Sequence, residues 1–452
     1  MEDIDLLIKN GFVVLEQESR PLSIGVSGGR IVGLYALGRE PQARHEMDVA
    51  GMVVLPGAID THAHVTNRED FAFGTRTAAS GGITTIIEMP LAGPPLLPNT
   101  RPEVFRERVR LGESSACVDF ALWGGVTPHT LGQVDGMMDA GAVAFKVFMN
   151  YVGEEYPYFD EYSLLRLMEL VGRRGGLIGV HAENESICAG YTALYRKRGD
   201  DAAVCHGKCR PPVAETEAIA RLCFLASQTG CRVHICHVSC PESIDIIQHY
   251  RMLGAKVNVE TCPHYLSLTD AVIPDYGAFA KCNPPLRDKA RVEGMWRHLL
   301  ERHVDIIGSD HSAYPEREKL QDFWSAPGGF PGMDLILPTL IDEGVHKRGL
   351  SWQTLAQITS THAAQSFGLT QKGSIAIGKD ADFAVVDPQQ EWTFRNSDSH
   401  YMNHSDRYPY EGKTFRGKVC ATIVRGIPVY KDGSIVANEG YGKFVPSVHP
   451  IL

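Results

Sequence analysis

The 452-residue chain, 44% hydrophobic and 22% charged, has the composition of a globular protein too long for a single ordinary core and too apolar for a disordered segment. Its formal charge of -10 is spread along the chain with no basic stripe, which excludes an electrostatic nucleic-acid footprint. No apolar run approaches ~18 residues, and the opening Met1-Glu2-Asp3-Ile4-Asp5 is acidic where a targeting peptide is basic, so a cytoplasmic protein without a membrane span is expected.

The first fifty residues read as short strands at 5–10, 12–16, 22–26 and 30–33, the last two joined across Gly28-Gly29. Eight short apolar runs follow, at 53–59, 83–89, 118–124, 142–149, 177–181, 232–238, 256–262 and 305–309. Segments of helical period separate them, which is the alternation of repeated βα units. Such an α/β chain fits a closed barrel, and an open doubly wound sheet has the same alternation. Short strands return at 381–387, 418–425, 427–430 and 434–437, so the two ends of the chain can form one β domain.

Eleven scattered cysteines, several inside strand-like runs (Cys117, Cys236, Cys262), behave as small hydrophobes, and no disulfides are expected. Cys205-His206-Gly207-Lys208-Cys209 lacks the second pair that a metal clip needs and reads as a thiol-bearing loop.

The ends of the apolar runs are polar. Asp60-Thr61-His62-Ala63-His64 closes the first, Lys146 lies in the fourth, His181 ends the fifth, His237 the sixth, and Asp310-His311 follows the eighth. In a βα barrel these positions converge at one mouth. Residues two apart on a strand share a face, so His62 and His64 can reach one metal, while His234 and His237 point apart. His237, nearer the strand end, is the better ligand, and His234 is a packed structural histidine. By the same parity, if Asp310 points inward, His311 lies against the loop or helps at the rim. Lys146, an ammonium inside the apolar stretch 142–149, is costly beside metals. A partner or a modification must neutralise it: N6-carboxylation of Lys146 by carbon dioxide would make it an anionic oxygen ligand able to bridge two metals, and the plainer alternative is a lysine snorkelling to the barrel rim.

Taken in order, these residues resemble the amidohydrolase superfamily, and more closely its cyclic amidohydrolases: hydantoinases, dihydropyrimidinases and allantoinases. The most specific pieces are Pro56-Gly57-Ala58-Ile59-Asp60-Thr61-His62-Ala63-His64, Gly81-Gly82-Ile83-Thr84-Thr85, Phe145-Lys146, His181-Ala182-Glu183-Asn184, Glu260-Thr261-Cys262-Pro263-His264-Tyr265 and Gly308-Ser309-Asp310-His311. The resemblance implies a (β/α)8 TIM-like barrel over residues 53–370 and a β-sandwich built from 1–52 and 371–452. It further implies that His62, His64 and Asp310 hold one divalent metal, that His181 and His237 hold a second, and that carboxylated Lys146 bridges them. Zinc is the usual metal, with manganese or cobalt as alternatives. Hydroxide generated between the metals would attack the ring carbonyl, and Asp310 would carry the proton to the leaving nitrogen. Tyr151 matches the tyrosine that hydantoinases and dihydropyrimidinases place over the oxyanion, and the backbone groups that hold the ring amide in those relatives map to Asn283 and to Gly328 or Gly329. The relatives are commonly tetramers, and the apolar tail at 439–452 is compatible with docking on a neighbouring subunit.

The details point in different directions. Glu260 to Tyr265 looks like an allantoinase, the stretches at 86–90 and 118–125 look like L-selective hydantoinases, and Tyr151 looks like the D-selective group. The expectation leans to a hydantoin-type ring, with allantoin or a dihydropyrimidine as alternatives. A metal-free scaffold relative would have lost ligands, and all six are present. A single-metal deaminase of the same superfamily would usually do without Lys146.

Overall fold

The computed structural model describes residues 4–200 and 202–447. The N-terminal strands are β1 (Ile4–Val14), β2 (Ser19–Ser27), β3 (Arg30–Tyr35), β4 (Ala43–Asp48) and β5 (Val53–Pro56). Strands β6 (Ala58–Ala63), β7 (Ile83–Glu88), β8 (Asp119–Leu122), β9 (Gly124–Gly125), β10 (Phe145–Phe148), β11 (Leu177–His181), β12 (Arg232–Ile235), β13 (Val257–Thr261) and β14 (Ile306–Ile307) then alternate with helices. The chain closes with β15 (Phe383–Thr393), β16 (Thr414–Val424), β17 (Ile427–Lys431) and β18 (Ser434–Ile435).

Both ends of the chain enter one nine-stranded sheet, in the order β18-β17-β16-β15-β5-β1-β2-β3 with β4 beside β1. Strand β5 is the seam, parallel to β1 on one side and antiparallel to β15 on the other. Leu6, Ile8, Ile24 and Val54 from the first segment share a buried cluster with Phe383, Val385 and Ile423 from the last.

The run expected as one strand at 53–59 is two strands in different sheets. Gly57 divides them, lying so close to Thr84 that a Cβ there would meet Thr84 Oγ1 at 2.1 Å. At the N-terminus the opposite happens, and two expected strands merge into β1 across a register shift between Ile8 and Gly11.

The central strands are all parallel, in sheets β6-β7-β8 and β9 to β14. Their residues are almost wholly buried, as parallel strands covered by helices on their faces require. Backbone bonds cross both gaps between the sheets: Val143 N to Leu122 O at 3.1 Å at one, His64 N to His311 O at 2.9 Å at the other. The helices follow the sequence period. In Glu161–Gly172, Leu164, Leu167, Met168 and Val171 form the buried stripe, and the Asp160 carboxylate caps the first turn by accepting from Ser163 N.

All eleven cysteines are free. Cys205 and Cys209 are buried on a helix (Ala202–Cys209) whose His206 faces the Cys282 carbonyl at 2.9 Å, so this segment is helical where a loop is expected. The described part of the C-terminal tail packs on its own chain, Phe444 lying 5.8 Å from the Phe120 ring and Val445 N donating to Phe120 O; residues 448–452 lie outside the described residues. Among the described residues no helix is long and apolar enough to cross a membrane.

Candidate active site

A cavity of about 550 Å³ opens where the parallel strands end. All nine residues singled out in the sequence line it: His62, His64, Lys146, Tyr151, His181, His237, Asn283, Asp310 and Gly328. His62 and His64 leave β6 on one face, and their Nε2 atoms stand 3.3 and 3.4 Å from Asp310 Oδ1. His181, the last residue of β11, has Nδ1 3.1 Å from His237 Nε2. Asp310 and His237 both sit at positive φ, 51° and 41°, strained backbone for residues with side chains that clusters at functional sites.

The partition by parity holds in space. His234 Nε2 is turned to Glu260 Oε2 at 3.1 Å, away from His237, and His311 Nε2 to Glu69 Oε2 at 3.0 Å, away from Asp310. Burial works against a charge on His311, but Glu69 more than offsets it and raises the imidazole's pKa.

Beneath the histidines lies a layer of buried carboxylates, Glu260, Glu183 and Asp60, present in the sequence motifs but without a role assigned from the sequence. Glu260, on β13, faces His62 Nδ1 at 2.8 Å, accepts from Thr61 Oγ1 at 2.5 Å and from His237 N at 3.2 Å. Burial alone would raise its pKa, yet His62 and His234 hold it well below the usual carboxylate range. Glu183 faces His181 Nε2 at 2.7 Å and is paired with Arg210. Asp60 accepts from His62 N, Ser309 N and Ser309 Oγ, joining β6 to the turn that carries Asp310. The signals were readable: Glu183 is two residues from His181 and shares its side of the chain, and Glu260 is the one acid in the strand run 256–262.

Several buried atoms of the cluster lack a hydrogen-bond partner: His62 Nε2, His64 Nδ1, His237 Nδ1 and Lys146 Nζ. An unsatisfied buried polar atom costs ~1–3 kcal/mol, so several in one cluster mark a place built for a ligand. Burial, and then the Lys146 charge, push His62 down to about 4, which leaves a neutral imidazole free to donate a lone pair. Ligand atoms of His62, His64 and Asp310 all lie within 4.8 Å of one another. The donor set of imidazoles and a carboxylate suits zinc and its neighbours. The Lys146 ammonium does not suit them as it stands; with its Nζ 5.1 Å from the Phe148 ring centroid and no carboxylate bonded to it, it needs neutralisation.

The upper part of the cavity is made by loops. Tyr151 is 53% exposed at the lip, its backbone N–H donating to Glu185 Oε2 at 2.6 Å. Asn283 Oδ1 is buried without a partner, and a Cβ on Gly328 would meet Asn283 Nδ2 at 2.8 Å, so the glycine keeps that amide in place.

Residues 53–429 match the model of the amidohydrolase family. The chain is 40% identical to an allantoinase of Rubrobacter xylanophilus, with 98% of each chain covered, and 37% identical to an allantoinase of Deinococcus radiodurans, covering 96% of this chain and 97% of that one. Among solved structures, the L-hydantoinase (dihydropyrimidinase) from Arthrobacter aurescens superimposes with a TM-score of 0.94 at 30% identity, covering 98% of this chain and all of the other.

Proposed function

The chain belongs to the amidohydrolase family, and from that premise we propose that it opens a hydantoin-type ring by hydrolysis, with allantoin, a hydantoin bearing a 5-ureido group, as its foremost substrate. It is an enzyme, a cyclic amidohydrolase acting on a ring C–N bond. The observation that carries the reading is the gathering of His62, His64, Lys146, His181, His237 and Asp310 at one cavity. The allantoinases at 37–40% identity favour the ureido substituent. The hydantoinase at TM-score 0.94, together with Tyr151 at the lip, supports a second reading in which the ring is a hydantoin with another substituent or a dihydropyrimidine.

His62, His64 and Asp310 would hold one divalent cation, His181 and His237 a second, with zinc foremost and manganese or cobalt as alternatives. Bound there, the cations supply water of lowered pKa and polarise the ring carbonyl. Lys146 would join the set as a carbamate: its neutral Nζ lone pair attacks carbon dioxide, a C–N bond forms, and one proton leaves. The absence of a bonded carboxylate and the confinement of Nζ favour that step, because it replaces an unpaired cation with an anion.

The chain's own groups then divide the work. Asp310, with Oδ1 against the two histidines, takes the proton of the attacking water on its other oxygen and returns it to the ring nitrogen as the C–N bond breaks. The Tyr151 hydroxyl donates to the oxygen of the attacked carbonyl as charge develops there. Asn283 Oδ1 accepts from the ring N–H, and the absence of a side chain at Gly328 leaves the amide room to do so. Closure of the parallel strands into a (β/α)8 barrel spanning 53–370, with the terminal segments 1–52 and 371–452 as a sandwich, is our reading of the frame; the backbone bonds across both sheet gaps and the sheet built from both chain ends support it, except that β5 (Val53–Pro56) pairs with β1 and β15, so the barrel starts at β6.

The test is hydrolysis of allantoin, dihydrouracil and both enantiomers of 5-benzylhydantoin by the metal-loaded enzyme. The expected outcome is fastest turnover of allantoin, with the ring-opened carbamoyl acid as product. Faster turnover of dihydrouracil or of a benzylhydantoin would move the assignment to the second reading, and no turnover of any ring would remove both.

A further inference from the structure

Away from the histidines the cavity is lined by Arg196, Arg210 and Lys281, while Asp310 is the one carboxylate among the described residues that line it. The three cations are not equivalent. Arg210 is paired with Glu183. The Lys281 ammonium is committed to main-chain carbonyls, donating to Ala326 O at 2.6 Å and Phe323 O at 2.8 Å. Arg196 has neither kind of partner. Its guanidinium carbon stands 5.0 Å from the centroid of the Trp324 ring, and no ion pair to it occurs among the described residues. Asp322 is near enough to feel its charge, but accepts from Trp324 N at 3.0 Å instead.

A guanidinium lying on an aromatic face keeps the N–H groups at its edge available, in a planar fork that matches a carboxylate or the oxygen of a urea. An apolar group placed there would strip water from Arg196 and return nothing. Helix-end electrostatics do not account for the arrangement, because Arg198 occupies the same last turn and lies beside Tyr195, outside the cavity.

We propose that Arg196, shelved on Trp324, selects the substituent of the ring, and that the substituent it selects presents a carbonyl or carboxylate oxygen. The inference rests on the ring-opening reading and narrows it to rings with a hydrogen-bond-accepting arm. Arg196 is a specificity residue and takes no part in bond breaking.

Wild type, Arg196→Gln and Arg198→Gln are compared on unsubstituted hydantoin, allantoin, 5-(2-carboxyethyl)hydantoin and 5-isopropylhydantoin. In Arg196→Gln, kcat/KM for allantoin and the carboxyethyl ring falls about tenfold relative to unsubstituted hydantoin, through KM, as loss of one charge-assisted hydrogen bond predicts. The larger of the two drops identifies whether a urea oxygen or a carboxylate is the natural partner. Arg198→Gln shifts neither ratio. An equal factor on all four rings, or an equal loss on the isopropyl ring, overturns the proposal. Should the wild type open none of the rings, the ring-opening reading fails, and calorimetric binding of N-carbamoylglutamate still decides the subsite: about tenfold weaker binding to Arg196→Gln supports it, and unchanged affinity overturns it.

Discussion

On the floor of the cavity, histidines are gripped from below by buried carboxylates; around its rim, main-chain carbonyls are gripped by buried ammonium groups. Glu260 and Glu183 hold His62 and His181 through their ring nitrogens, whereas Lys281 and Lys319 donate to Phe323, Ala326, Ala278 and Pro327 oxygens. A carboxylate behind an imidazole fixes its orientation and raises its basicity, so the floor depends on the identity of each side chain. A lysine holding carbonyl oxygens fixes the course of a loop whatever side chains the loop carries. The floor is thus suited to one chemistry, and the rim to a choice of substrate.

The sharpest way to break the floor is Lys146→Ala. Removing the only side chain proposed to bridge the metals takes activity to background and lowers metal content from two equivalents toward one. A short carboxylic acid added to the variant restores part of the activity. Full activity of Lys146→Ala, or of wild type with one equivalent per chain, would sink the two-metal account.

Tyr151→Phe tests whether the rim takes part in the chemistry at all. Loss of an oxyanion donor costs about 10²–10³ in kcat, with KM little changed. Turnover within twofold of wild type would leave Tyr151 as a wall of the pocket and return all catalysis to the floor.

Glu260→Gln is the milder test of bracing. The amide preserves shape and one acceptor oxygen but loses the charge between His62 and His234. Loss of an outer partner of a metal ligand typically costs about 10–100-fold in metal affinity or activity. The readout that separates bracing from misfolding is metal affinity at unchanged thermal stability of the metal-free protein. Equal metal affinity would show that Glu260 serves packing alone.

Floor and rim also differ in how far the sequence displayed them. His62 and His64 were legible because strand parity gives a rule, and the same rule separated His237 from His234 and Asp310 from His311. Glu183 obeys that rule too, two residues from its partner His181, but the partners of Glu260 depend on which strands are neighbours, and parity on one strand carries no such information. Gly57 could not be read as a strand break, because the reason lies in Thr84, 27 residues away in sequence and in the next strand of its sheet. Lys281, Lys319 and Arg196 gave no local pattern. Arg196 and Lys319 lie in segments that read as ordinary polar surface and Lys281 in the apolar stretch 278–282, and only the path of the loops brings the two lysines onto carbonyl oxygens and the arginine onto Trp324.

The smallest effect lies in the rim lysines and is one of pH. Burial, followed by the nearby Lys281 charge, lowers Lys319 to about 7, and burial lowers Lys281 to about 8. An unfolded lysine keeps its proton to ~10.4, so above pH 7 the unfolded chain binds more protons at these positions than the folded one. Stability from this source therefore rises as pH increases from 7 toward 9, the reverse of a lysine held by an ion pair. In Lys319→Met the Ala278 and Pro327 oxygens lose their donor, at a cost of ~1–3 kcal/mol, and the variant also loses the Lys319 share of the slope. The gap in melting temperature between wild type and variant should then widen from pH 7 to pH 9. A gap that narrows over that range would mean that the lysine holds the rim through its charge, and that the rim, like the floor, relies on electrostatic pairing.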